Sequence, residues 1–196
     1  MTSGRLEAFS DGVLAIIITV MVLGLAEPKG DTWADLVHTS GLGLLTYLLS
    51  FVYIGIYWSN HHHLMHLTKR VDGGALWANL NLLFWLSLVP FTTRWMDESS
   101  LSPLPVLVYG FNLLMNAVAY TILQRRLIRI QGADSRLADA IKSGLKEKVS
   151  TALYLLGCAV AFLSVWGSVA CYTAVAILWI VPDRRIERAV ESGPEA

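Results

Sequence analysis

Six apolar stretches, each long enough or nearly long enough to cross a bilayer as a helix, dominate this sequence. They lie at Leu6–Ala26, Gly41–His62, Ala75–Trp95, Pro105–Gln124, Val149–Trp166 and Gly167–Val181. A hydrocarbon core of about 30 Å needs roughly 20 apolar helical residues, because lipid offers the backbone no hydrogen-bonding partner. The last two stretches are short and share one apolar run, divided at Gly167-Ser168. Turn or polar signals separate the others: Glu27-Pro28-Lys29-Gly30-Asp31, Asp72-Gly73-Gly74 and Ser99 to Pro105. Only 15% of residues are charged, and mean hydropathy is +0.53. Soluble domains carry about 25% charge. The fold class expected is therefore an all-α membrane protein of six transmembrane helices, with residues 1–196 forming one domain.

The first stretch also has features of a secretory signal, with Arg5 before it and Gly24-Leu25-Ala26 near its end. Its length, and Ser10 and Asp11 near its start, favour a membrane span. Lys and Arg set the orientation. With the N-terminus cytoplasmic, every Lys and Arg except Lys29 and Arg94 falls on the inner side. Both termini are then cytoplasmic. The outer loops carry Glu27, Asp31, Asp35, Asp97 and Glu98, which either solvate the loops or raise the local cation concentration. In the polar connection Arg125–Lys148, Leu127, Ile130, Leu137, Ile141 and Leu145 alternate with basic residues. That pattern suits a helix lying on the anionic inner leaflet.

Asp11 sits about 7 Å into the first span at about 1.5 Å rise per residue. An ionisable group there needs partners. His61 and His62 end the second span and Asn79 lies a turn into the third, all at similar depth. A polar cluster joining three helices near the inner interface is expected. On the same first helix, Gly12, Ile16, Thr19, Leu23 and Ala26 form one seam at about 100° per residue. Asp11 lies about 100° from the seam's centre and Ser10 about 160°. Two readings of the seam stay open: a pore lining shared by several copies, or ordinary helix packing through small residues.

The sequence Arg5-x-x-x-Phe9-Ser10-Asp11 resembles the signature of the transmembrane protein 175 family. Trp58-Ser59-Asn60-His61-His62, Asn79-Leu80-x-Leu82-x-Phe84 and Ser87-Leu88-Val89-Pro90-Phe91 resemble its second and third helices. The resemblance covers roughly the first 95 residues; beyond about residue 100 it is one of hydropathy only. It implies potassium channels, lysosomal in animals and shorter in bacteria, built from six-helix units with first helices around the pore. One unit per chain implies a homotetramer in the plasma membrane of a prokaryote, with potassium as permeant ion and no cofactor. It also implies a hydrophobic constriction at Ile16, Thr19 and Leu23, flanked by Val20. Arg5, Phe9, Ser10 and Asp11 are then a structural motif. The Thr-Val-Gly-Tyr-Gly filter of other potassium channels does not occur in the sequence.

Other constellations give rival readings. His61, His62, His63 and His66 could serve, with Asp11, as a proton relay in a coupled transporter, or could hold a metal in a membrane enzyme. Adjacent helical histidines point about 100° apart, and the only other histidine, His38, lies on the opposite side. No metal, catalytic residue or nucleic-acid surface is therefore expected. Asn112 and Asn116, four apart in the fourth span, are expected to bond a neighbouring helix. The Trp residues fall mostly near span ends, as interfacial anchors. Cys158 and Cys171 lie in apolar runs, as small apolar side chains rather than a disulfide.

Overall fold

The fold comes from a computed structural model that describes residues 3–132, 135, 137 and 144–180. It is all helical among the described residues. The helices are α1 (Ser3–Val22), α2 (Trp33–His66), α3 (Gly73–Ser87), α4 (Val89–Glu98), α5 (Pro103–Gln131), α6 (Leu145–Val160) and α7 (Val165–Ile180). Among the described residues three stretches are long and apolar enough to cross a membrane: α2, α3 with α4, and α5. Helix α7 is apolar but shorter.

Several ends differ from the sequence expectation, each for a local reason. Helix α1 stops at Val22, short of Ala26. The Gly24 and Leu25 N–H groups turn back to Met21 and Val22 carbonyls at 3.1 and 3.2 Å. Those are i→i+3 bonds, which end an α-helix. Helix α2 begins earlier, at Trp33, because Thr32 and Asp35 form a reciprocal capping box. The expected third span is broken at Leu88. Pro90 has no N–H and crowds the preceding turn, so α4 restarts with Pro in its first turn. Asn112 of α5 donates to the Trp85 carbonyl at this break, at 2.9 Å. Asn116 does not reach a neighbour; it donates to the Asn112 carbonyl of its own helix at 3.0 Å.

The break between the last two helices falls at Ala161–Ser164, not at Gly167-Ser168. Ser164 Oγ accepts from the Gly167 N–H at 3.1 Å, an N-cap that places Gly167 inside α7. Val181 lies outside the described residues. Helix α5 continues through Arg125 to Gln131, so Leu127 is fully buried in the core rather than lying on a leaflet. Leu137 is also buried, Leu145 opens α6 as an exposed side chain, and Ile141 lies outside the described residues.

Helix α3 packs on α5, α5 on α6, and α6 on α7, while α1 lies across α2, α3 and α4. The interior is unusually phenolic. Tyr53 of α2 donates to the Tyr172 carbonyl of α7 at 2.6 Å. Ser50 of α2 joins Thr93 of α4 at 2.7 Å and Tyr109 of α5 at 3.0 Å. Gly110 and Gly157 make room for the Tyr172 ring; a Cβ at either position would overlap it. Cys158 and Cys171 are free thiols. At the loop before α3, Asp72 accepts from the Ala75 N–H at 2.8 Å and pairs with Arg126 of α5. The Arg126 guanidinium, and secondly that backbone N–H, hold the Asp72 carboxyl below the usual carboxylate range.

Candidate functional site

Helix α1 buries one face and leaves the other open. Leu6, Ser10, Leu14, Ile17 and Met21 are buried, a spacing of three and four residues that fills one helical stripe. On the opposite side Ile16 is 63% exposed, Val20 48% and Leu23 82%, and Gly12 and Thr19 are exposed too. Thr19 turns its hydroxyl back onto the Ile16 carbonyl at 2.9 Å. Leu23 stands in the turn just after α1 rather than on the helix. Ile18, on a third side, is partly buried against the core.

Behind the buried stripe, three helices meet in a polar chain. His61 Nε2–H of α2 donates to Asn79 Oδ1 of α3 at 2.8 Å. Asn79 Nδ2 donates to Ser10 Oγ of α1 at 2.9 Å, and Ser10 donates onward to the Leu6 carbonyl at 2.9 Å. Ser10, Asn79 and His61 are all buried. In an apolar surrounding such a chain is strong because every unmade bond is costly.

The expected member of this chain was Asp11; the residue that occupies the place is Ser10. Ser10 lies opposite the exposed seam and points inward. Its hydroxyl both accepts from Asn79 and donates to Leu6, which a carboxylate cannot do. Asp11 is half-buried, and its Oδ1 is buried without a hydrogen-bond partner among the described residues. Arg5 and Phe9, the rest of the motif, are exposed. His62 is held apart from His61. Its Nδ1 meets Glu7 Oε1 of α1 at 2.7 Å, and its ring stacks on Trp58 and His66. Glu7 was not singled out in the sequence; a helix position four before Asp11 and facing α2 was the available signal. Among the described residues no group of three or more His, Cys, Asp or Glu is placed to hold a metal.

The segment carrying these contacts is the one that matches known proteins. Residues 5–90 match the profile of the endosomal/lysosomal potassium channel TMEM175. A potassium channel of Chryseobacterium sp. (strain P1-3) is 51% identical over 191 residues, spanning 97% of this chain and 99% of that one. The chain belongs to the TMEM175 family. A second TMEM175-like relative, a potassium channel of Chamaesiphon minutus (strain ATCC 27169 / PCC 6605), is 33% identical over 192 residues, 89% of this chain and 92% of that one. The crystal structure of a lysosomal potassium-selective channel TMEM175 homolog from that organism superposes with a TM-score of 0.75. Identity there is 32%, covering 92% of this chain and 97% of the other. The human endosomal/lysosomal proton channel TMEM175 is 36% identical over 97 residues, 43% of this chain and 19% of its own length. Residues 5–90 run from α1 to the Pro90 break, so the TMEM175 profile covers the α1 motif and the Ser10–Asn79–His61 chain together. The helical fold and the apolar spans make the protein a membrane protein.

Proposed function

We propose that this chain is a potassium channel that assembles as a homotetramer, with four copies of α1 around one pore. The unit has six membrane-crossing segments, α3 and α4 counting as one, with both termini cytoplasmic, in the plasma membrane of a prokaryote. Its role is conduction rather than catalysis.

One observation carries the reading. Helix α1 packs one stripe on its own subunit and leaves a bulky apolar stripe, centred on Ile16 and Val20, without a partner among the described residues. A pore axis gives that stripe an occupant. Ile16 and Leu23 then form apolar rings about two turns apart, with Thr19 hydroxyls between them and Val20 flanking. A narrow apolar ring stops ions by emptying of water, since nothing replaces the stripped hydration shell. The Ser10–Asn79–His61 chain supports this by fixing α1's rotation, so that the seam and not Ser10 or Asp11 faces the axis. The bacterial relatives named as potassium channels, and the similar solved channel, supply the ion.

The test is reconstitution of the full chain into liposomes, with potassium and sodium flux measured separately and mass determined in lipid. Potassium flux at channel rates from a tetramer is the expected result. A stable monomer, or flux that requires a coupled proton gradient, would replace this reading with the transporter built on Asp11 and His61–His66.

A further inference from the structure

A cavity of about 50 Å³, with no α1 residue in its lining, opens between α2, α5, α6 and α7. Tyr53, Tyr57, Tyr120, Tyr154 and Trp179 wall it, and Asn60, Thr151 and Glu147 supply polar atoms. Nothing in the conduction reading uses these residues.

The hydrogen bonds around the cavity decide what it accepts. Tyr120 donates to the Asn60 carbonyl at 3.0 Å and Tyr53 to the Tyr172 carbonyl at 2.6 Å. The Asn60 amide donates to the Ile56 carbonyl at 2.8 Å, and Thr151 to the Glu147 carbonyl at 2.8 Å. Trp179 gives its indole N–H to Ser150 Oγ at 2.7 Å. These donors are spent on the protein itself. What remains for a guest is their lone pairs, the Tyr57 hydroxyl, which can accept as well as donate, the Asn60 Oδ1 and the Glu147 carboxylate, with aromatic faces around them. Among the described residues Glu147 makes no ion pair. An acceptor-lined aromatic recess with one carboxylate is complementary to a cation that carries N–H donors. Trp179 already meets a cation of this kind: Lys146 Nζ stands 5.7 Å from its ring centroid.

We propose that this cavity binds the primary ammonium group of a small amine or of an aminophospholipid headgroup. The volume suits the purpose. About 50 Å³ is several times the roughly 10–15 Å³ that holds one water, room for one –NH₃⁺ with its first carbon. A quaternary head would bring no N–H to the waiting acceptors. Ile56, Asn60 and Trp179 are shared with a more open space of about 230 Å³ beside Gly55 and Ser59, which has room for the rest of the molecule. Asn60 and Glu147 belong to the inner side in the orientation set by Lys and Arg, the level of cytoplasmic-leaflet headgroups.

The test uses the full chain in nanodiscs of phosphatidylglycerol alone. Ethanolamine is titrated while thermal stability is read, with choline and ethylene glycol as controls lacking the N–H donors or the charge. In a second arm, protein from mixed phosphatidylethanolamine, phosphatidylcholine and phosphatidylglycerol vesicles is examined by native mass spectrometry for retained lipid. Saturable stabilisation by ethanolamine alone is expected, because ligand that binds only the folded state raises its melting point. Retained phosphatidylethanolamine identifies a lipid as the occupant; stabilisation without it identifies a soluble amine. Glu147→Gln should weaken binding about tenfold or more, as for a lost charge-assisted bond. Ala117→Leu, which fills the cavity from α5, should abolish it. Equal effects of choline or ethylene glycol, or no response in either arm, overturn the proposal on wild-type protein alone. Binding unchanged in both variants overturns the placement. None of these readouts depends on ion flux.

Discussion

Asn79 holds Ser10 across the α3–α1 interface through a 2.9 Å hydrogen bond, and its amide oxygen accepts a hydrogen bond from the His61 Nε2–H at 2.8 Å. One amide therefore locks the rotation of α1 against two helices at once. Among the described residues nothing else joins α1, α2 and α3 through buried polar atoms of three side chains. Asn79→Ala removes both bonds and leaves the His61 Nε2–H and the Ser10 hydroxyl short of a partner. A loss of about 1–3 kcal/mol is expected, read as a lower melting temperature of the purified protein in detergent. Ser10→Ala should cost less, because the Asn79–His61 bond survives it. If Ser10→Ala proves the more damaging of the two, the hub is misassigned.

Asp11 gives the complementary case. Its Oδ1 is buried yet unpartnered among the described residues, and it lies about 100° from the centre of the exposed seam. Asp11→Asn should therefore reduce yield or assembly while leaving the ion preference of surviving channels close to wild type. Reversal potentials in bilayers, taken beside the oligomer fraction by mass, separate the two effects. Lost potassium preference with normal assembly would place Asp11 on the pore.

The Asp72–Arg126 pair should be visible as a pH effect on stability. The carboxyl is held below its unfolded value, so its contribution is fully present above the ordinary carboxylate pKa of about 3.9. It is lost only as pH falls through the depressed folded value. Asp72→Asn should melt below wild type at pH 7, and the gap should narrow below about pH 4 as wild-type Asp72 takes up a proton. Melting curves from pH 7 down to pH 3 check this, and adding Arg126→Gln to Asp72→Asn should cost little further. A gap that stays constant with pH would mean the pair contributes nothing through charge.

How much of this was legible beforehand depends on which interaction sets each feature. Local periodicity grouped Gly12, Ile16 and Thr19 on one face of α1, but angles alone left open whether that face packs or is exposed. The depth argument brought His61, Asn79 and the first-helix motif to one level, but it could not choose between neighbours. A charge looked more in need of a partner than a hydroxyl, and geometry gave the place to Ser10. Helix ends were misread even where a cap or proline marks them: the Thr32 capping box starts α2 ahead of Gly41 and Pro90 breaks the expected third span, while Gly167 looked stronger than Ser164. A glycine at the third position of a helix needs no break when a serine caps it. The phenolic interior was not legible at all. Tyr53, Tyr109 and Tyr172 are far apart in sequence, and only packing turns their hydroxyls onto particular carbonyls.

The gate proposal rests on two isoleucines of similar depth and different surroundings. Ile16 is 63% exposed on the seam; Ile18, two residues on and about 200° around the helix, packs partly against the core. An apolar ring blocks by dewetting, so Ile16→Asn supplies hydrogen-bonding groups where the passage is dry. Potassium flux into liposomes, normalised to reconstituted protein, should rise, and preference over sodium should fall if the ring also filters. Ile18→Asn puts the same amide against apolar neighbours, where an unpaired polar group costs about 1–3 kcal/mol. That variant should lose stability and yield without gaining flux. Because composition, charge and helix are unchanged between the two, only the facing side differs. Equal flux from both variants, or no change at Ile16, would remove α1 from the pore.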